Sequence, residues 1–306
     1  MNSFFAEIQK VFRKGSSALY QLIAINAVVF IVLGVLNVIS TLFSFSWVYE
    51  LAKAQLVMPA AWYALLLKPW TIITTFFFHE GIYHILINML VMFWFGQIIQ
   101  EYLGNRRVTA LYVMGGLAGG LLYLVGYNSL PILVGIRDST YLLGASGAVY
   151  ALVVAAATLV PNYTFHVFFL GPVRIAYIAG FYVLLSFLEL KGGNTGGNLA
   201  HLGGALFGFV FVKQLRAGND LGKPLNALLA WISNVFAPKG SLRVSYKEPV
   251  AATKRAKATT AVAGSSSAPM PDQEEVDAIL DKISKIGYEN LSREEKQKLF
   301  SASQKS

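Results

Sequence analysis

The chain has 306 residues, of which 55% are hydrophobic and 13% charged, and it carries a formal net charge of +9. Soluble domains are about a quarter charged, and a mean hydropathy of +0.54 leaves more apolar surface than a water-soluble protein of this size can hide. Soluble-enzyme and nucleic-acid-binding readings are thereby excluded, and the absence of cysteine removes disulfides, thiolate metal sites and a cysteine nucleophile.

In chain order, Phe4, Phe5, Ile8, Val11 and Phe12 recur at helical intervals among Lys10, Arg13 and Lys14, which predicts an interfacial helix within segment 1–17. Ala18 to Phe43 is an uncharged run too long for a signal-peptide core and without a small-residue cleavage site, so it is predicted to be a retained span. An aromatic-rich loop follows up to about Trp70. Five further candidate spans are Tyr83 to Gln100, Val108 to Tyr127, Ser146 to Val160, Arg174 to Leu190 and Leu199 to Val212. The expected fold is an all-α membrane bundle of six spans, with its core at residues 18–215.

Basic residues orient the bundle. With the N-terminus inside, the inner side collects Lys10, Arg13, Lys14, Arg106, Arg107, Arg174, Lys213 and Arg216, against Lys53, Lys68, Arg137 and Lys191 outside. Both termini are therefore predicted to be cytoplasmic. Residues 216–250 form a basic juxtamembrane segment in which Leu225 to Phe236, after Pro224 and with Trp231, reads as a second interfacial helix. Positive charge across residues 213–257 is expected to meet anionic lipid rather than nucleic acid. Residues 251–271 are Ala/Thr/Ser/Pro-rich and read as a flexible linker. In residues 272–306, Val276, Ile279, Leu280 and Ile283 make one helical stripe, and Ser292 with Glu295 forms a capping box ahead of a helix holding Leu299 and Phe300. Such a cytoplasmic hairpin is too short to bury a core of its own, and it is expected to dock on an unidentified partner.

Polar residues inside spans are costly and mark function. His84 and Asn88 stand near the start of the second span, Ser146 opens the fourth, and His201 sits two residues into the sixth. Those three spans all run from outside to inside, so the four residues lie at one depth near the outer ends. The fourth span is short: 15 residues reach about 22 Å against a ~30 Å core, which recesses Ser146 into a cavity fed by irregular backbone. A serine hydroxyl attacks a carbonyl only if a neighbouring base takes its proton, and His201 is one candidate for that base. Gly144-Ala145-Ser146-Gly147 sets the serine at a helix N-terminus, whose free N–H groups favour developing negative charge. His84 and Asn88, four apart on one helix face, can both donate to an oxyanion. No carboxylate lies beside these residues in sequence. A dyad is expected, with Tyr150, one turn below Ser146, holding the His201 ring. Ala200, Gly204 and Gly208 repeat every fourth position, as do Gly147 and Ala151, and such small-residue faces draw spans four and six together. The glycine run in Met114 to Gly120 reads as helix packing, and the loop Lys191 to Asn198, with four glycines, is expected to flex to admit substrate.

At His84-x-x-x-Asn88, Gly144-Ala145-Ser146-Gly147 and Gly196-x-x-x-Ala200-His201, in that order along about residues 18–215, the chain resembles the rhomboid family of intramembrane serine proteases, of a bacterial type with a C-terminal cytoplasmic extension. The resemblance implies a six-helix rhomboid bundle, Ser146 as nucleophile and His201 as general base. It implies an oxyanion hole of His84, Asn88 and the Ser146 amide, Tyr150 packed on His201, and Gly144, Gly147 and Gly204 in support. Implied too are transmembrane protein substrates cut in or near the bilayer, no cofactor and no metal, and a bacterial inner membrane. Where the family often has Trp-Arg, this chain has Trp70-Thr71. Two other readings compete with this one. An intramembrane zinc protease needs histidines four apart, whereas His79 and His84 are five apart, a rotation of about 140°. A catalytically inactive, rhomboid-like binding or chaperone factor would be marked by loss of the serine or histidine, and both are present.

Overall fold

The computed structural model describes residues 11, 15–169, 171–236, 273–286, 291–292, 294–296 and 298–299. The expected N-terminal interfacial helix, apart from Val11, and the whole 251–271 linker lie outside the described residues. So does Phe300 of the last expected helix. Two compact units divide the chain, Met1–Lys239 and Gly240–Ser306.

The first unit is an all-α membrane bundle. Helix α1 (Ala18–Leu42) is capped by Ser17, whose hydroxyl accepts from the Tyr20 N–H. The loop after it holds α2 (Trp47–Leu56), strand β1 (Met58–Pro59), α3 (Trp62–Leu67) and α4 (Thr71–Thr74), and α4 runs into a 3-10 turn at Thr75–Phe77. Helices α5 (Ile82–Leu103) and α6 (Asn105–Ser129) follow, then α7 (Pro131–Val134) and strand β2 (Tyr141–Leu142). The unit continues with α8 (Ser146–Leu159), a hairpin of β3 (Thr164–Val167) and β4 (Gly171–Arg174), α9 (Ile175–Leu188), α10 (Thr195–Arg216) and α11 (Lys223–Phe236). Helices α1, α5, α6 and α10 are long and apolar enough to cross a membrane. The other two, α8 and α9, have 14 residues each and reach roughly 21 Å against a ~30 Å core. Exposed apolar side chains such as Val28, Ile31, Val32, Phe181 and Leu206 face outward, as a lipid solvent requires.

The bundle is held backbone to backbone. A Cβ on Gly204 of α10 would stand 1.9 Å from the Gly147 carbonyl oxygen of α8, and one on Gly208 would stand 2.2 Å from that of Ala151. On its other flank, a Cβ on Gly203 would meet the Ala118 carbonyl oxygen of α6 at 2.6 Å, and one on Gly119 would meet that of Ala200 at 2.6 Å. Glycines on three helices therefore clasp α10 between α6 and α8, where dispersion between close backbones replaces a hydrophobic drive that lipid does not supply. One buried polar tie joins the outer elements. The Tyr112 hydroxyl of α6 donates to the Phe76 carbonyl at 3.0 Å and accepts from Asn26 Nδ2 of α1 at 3.0 Å.

Two boundaries differ from the sequence expectation. Helix α10 begins at Thr195, not Leu199, because the Asn194 side chain accepts from the Gly197 N–H at 3.2 Å and caps it there. Gly196, Gly197 and Asn198 are buried helical residues, so two of the four glycines of the expected loop serve the first turn of a helix, and His201 lies about 9 Å into it. Span five, by contrast, is shorter than expected: its helix ends at Leu188 and passes into a 3-10 turn at Glu189–Lys191.

In the second unit, α12 (Gln273–Ile286) carries the buried Ile279, and Leu291 is also buried. The capping box forms in both directions: the Ser292 N–H donates to Glu295 Oε2 at 2.8 Å and the Glu295 N–H donates to Ser292 Oγ at 3.3 Å. Lys282, bonded to Glu295 at 2.6 Å, and this capping hold the Glu295 carboxyl down to about 2.

Candidate functional site

Ser146 is the first residue of α8, and two loops fix the approach to it. Strand β2 pairs antiparallel with β1, Met58 opposite Leu142 and Pro59 opposite Tyr141, so the loop after α1 is stitched to the segment that leads into the serine. That loop is itself tied to α4: Trp70 Nε1 donates to the Gln55 carbonyl at 2.9 Å and Thr74 Oγ1 to the Leu56 carbonyl at 2.8 Å. Thr71, where the family often has arginine, is fully buried and donates its hydroxyl to the Lys68 carbonyl at 2.6 Å, a local bond within its own turn. Lys53 of α2 pairs with Glu80 and donates to the Tyr141 hydroxyl at 2.7 Å.

Closer in, Thr75 holds the serine loop twice. Its hydroxyl donates to the Leu142 carbonyl at 2.6 Å, and its carbonyl accepts from the Gly144 N–H at 2.9 Å. Gly144 has φ +105°, and a Cβ there would stand 2.8 Å from the His84 ring, so only glycine fits both the backbone and the neighbour. His79 Nε2 accepts from the Ala145 N–H at 3.4 Å, and its ring meets that of His84 edge-on, with centroids 4.9 Å apart. His79 precedes α5. Burial first, then the neighbouring His84, pushes its imidazole down to about 4, which keeps it neutral and able to accept.

A pH dependence follows. An unfolded histidine takes up its proton near pH 6.5, but His79 in the fold resists until about 4, so between those values the unfolded chain binds more protons. Thermal stability in detergent is expected to be flat above about pH 7 and to fall as pH drops from about 6.5 toward 4. His79→Gln, which keeps an acceptor without titrating, should lessen that fall. An unchanged slope in the variant would remove His79 as its source.

The four polar residues read from the sequence meet on one cavity of about 400 Å³, lined by His84, Asn88, Ser146, Tyr150 and His201. Helix α5 supplies the first two residues, α8 the next two and α10 the last. Asn88 is buried, and its Nδ2 donates to the His84 carbonyl at 2.8 Å, which turns its amide along the same wall. The first-turn N–H groups of α8 point out of the helix end beside Ser146. The His201 ring lies flat on Tyr150, with centroids 4.1 Å apart and planes 5° apart. Ser146 and the His201 ring line the same cavity. Gly147, whose Cβ would meet the Ala200 carbonyl oxygen at 3.2 Å, and Gly204 let α8 and α10 approach closely enough for both side chains to share the space.

Three contributors escaped the sequence reading. Thr75 and His79 act through loop contacts that no local pattern encodes, and His79 entered the sequence reading only through its five-residue spacing to His84. Ser186 of α9 reaches the ring as well, with Oγ 3.1 Å from His201 Nδ1. A signal for Ser186 existed: span five runs from inside to outside, so a polar residue near its end falls at the depth of the other four. Among the described residues, no group of three or more acidic or histidine side chains is disposed to hold a metal ion.

Residues 67–217 match the rhomboid domain, and residues 270–305 match a family of unknown function. Similar proteins include RHOMBOID-like protein 12, mitochondrial, of Arabidopsis thaliana, 32% identical over 157 residues that cover 48% of this chain and 47% of that one. Rhomboid-like protein 16, chloroplastic, of the same plant is 33% identical over 161 residues, covering 48% and 49%. Presenilin-associated rhomboid-like protein A, mitochondrial, of Danio rerio is 30% identical over 140 residues, covering 44% and 35%. The chain spans about half the length, or less, of these curated relatives.

Proposed function

Because the chain belongs to the rhomboid family of membrane proteins, we propose that it is an intramembrane serine endopeptidase that cleaves transmembrane segments with a Ser146–His201 dyad. One observation carries this reading: a serine at a helix N-terminus, a histidine and two side-chain donors, brought by three helices, face one cavity. In this mechanism His201 Nε2 takes the Ser146 proton as Oγ attacks the scissile carbonyl. The resulting oxyanion accepts from His84, Asn88 and the Ser146 N–H, groups already in place before the charge develops. His201 then passes the proton to the leaving amine, and the acyl-enzyme forms as the C–N bond breaks. A water, deprotonated by the same histidine, hydrolyses the ester and restores Ser146. No cofactor or metal enters any step.

Substrates on this reading are single-span membrane proteins, which reach a recessed serine only from within or beside the bilayer. The balance of basic residues supports both termini on the cytoplasmic side of the membrane. On this reading helix α11, with Leu228, Trp231 and Val235 exposed, meets anionic lipid together with the basic residues of 213–257, of which those after 236 lie outside the described residues. The C-terminal hairpin is assigned to a partner of its own. Cleavage of a reporter span by the purified protein in liposomes tests the reading. The wild type should cut within the span or at its edge, and Ser146→Ala should not. Equal cutting by both would overturn the nucleophile assignment.

A further inference from the structure

We propose that Ser186 is the positioning residue that sets the tautomer of His201, through a one-way chain of hydrogen bonds ending on the backbone of α9. This inference rests on the reading of His201 as the general base, and it supplies what that base lacks. A histidine that accepts a proton at Nε2 must carry its own proton on Nδ1, and something must hold that Nδ1–H. Among the described residues, no carboxylate bonds His201, and Ser186 Oγ is the group at its Nδ1.

The chain can be followed atom by atom. Ser186 Oγ lies 3.1 Å from His201 Nδ1 and 2.9 Å from the Tyr150 hydroxyl, and the Tyr150 hydroxyl lies 3.5 Å from the Tyr182 carbonyl oxygen. A carbonyl oxygen can only accept. Tyr150 therefore gives its proton to Tyr182, which leaves its oxygen to accept from Ser186. Ser186, having spent its proton on Tyr150, can only accept from the ring. Each step follows from the last, and the end of the chain is an Nδ1–H tautomer with the Nε2 lone pair free.

Two further observations agree. Ser186 is 2% exposed, one of three buried residues on α9, the others being the apolar Ile175 and Ala179. A helical serine ordinarily returns its hydroxyl to the carbonyl four residues back, which here is Tyr182. Instead Tyr150 bonds that carbonyl, and the Ser186 hydroxyl is directed at the ring pair. The flat stack of His201 on Tyr150 blocks tilting, so the Nδ1 bond has only in-plane rotation left to stop. A neutral serine fixes the ring without placing a charge in the bilayer, where an aspartate would be expensive. The hold is correspondingly weaker than a carboxylate's.

The test is 15N NMR of histidine-labelled protein in detergent, with the His201 signals identified by their loss in His201→Gln. Reporter cleavage by Ser186→Ala and Ser186→Thr is measured alongside. The wild type should show His201 protonated at Nδ1. Ser186→Ala should shift population to the Nε2–H form and lower kcat about tenfold, the worth of one neutral hydrogen bond, with KM within about twofold. Ser186→Thr, which restores the hydroxyl, should recover most of the rate. A wild-type ring protonated at Nε2 would overturn the proposal, whether or not either variant folds. So would a Ser186→Ala protein with unchanged tautomer and kcat. A wild type that cleaves nothing would sink the protease reading alone, and the tautomer would still decide the role of Ser186.

Discussion

Gly204→Leu is expected to collapse the bundle while leaving every polar residue of the cavity in the sequence. At this position even a Cβ would sit 1.9 Å from the Gly147 carbonyl oxygen and 2.8 Å from its carbon, and the obstacle is backbone that cannot rotate aside. Helices α8 and α10 would have to separate, and they carry Ser146 and His201. Overpacking in a well-packed core costs about 1–3 kcal/mol, and a backbone-to-backbone clash belongs at or beyond the upper end. The melting temperature in detergent should fall by more than about 5 °C and reporter cleavage should be lost. Gly180 of α9 is the control, because nothing lies within 4 Å of its Cβ position. Gly180→Ala should change stability by no more than about 0.5 kcal/mol. A Gly204→Leu protein as stable as the wild type would mean that α8 and α10 are not packed as described.

His201→Ala should lower kcat/KM by about a thousandfold or more, since the Ser146 hydroxyl is a poor nucleophile until its proton has somewhere to go. The informative version is a double mutant. Groups that act as one unit are strongly non-additive, so Ser146→Ala with His201→Ala should be no worse than either alone. Losses that multiplied would show that the two residues act independently, against a dyad. Expression and extraction should match the wild type in all three variants, because neither residue takes part in the glycine clasp.

Much of this site was legible because the chain is so poor in polar groups. His84, Asn88, Ser146 and His201 stand out against apolar helices, and the direction of each span placed them at one depth. The repeat Ala200, Gly204, Gly208 announced the close approach that the structure contains. Ser186 was missed for a definable reason: depth was reckoned only for spans that start outside, although a span that ends outside brings its last turns to the same level. The start of α10 was misplaced because Gly196 and Gly197 read as a flexible loop, whereas the Asn194 cap and close packing against Tyr123 and Tyr127 make them helix. The pins from Thr75 and His79 to residues 142–145 join positions more than 60 apart, and no local pattern predicts such pairs. The short strands β1 and β2, two residues each, lie below what alternation can show.

The central claim is that Ser146 is a nucleophile activated within the membrane domain. A fluorophosphonate probe applied to the full-length protein in detergent tests it directly, because the probe phosphonylates an activated serine and needs no knowledge of the substrate. Labelling of the wild type should map to Ser146 and should vanish in Ser146→Ala. Labelling that persists in that variant, or a correctly folded wild type that takes up none, would contradict the account.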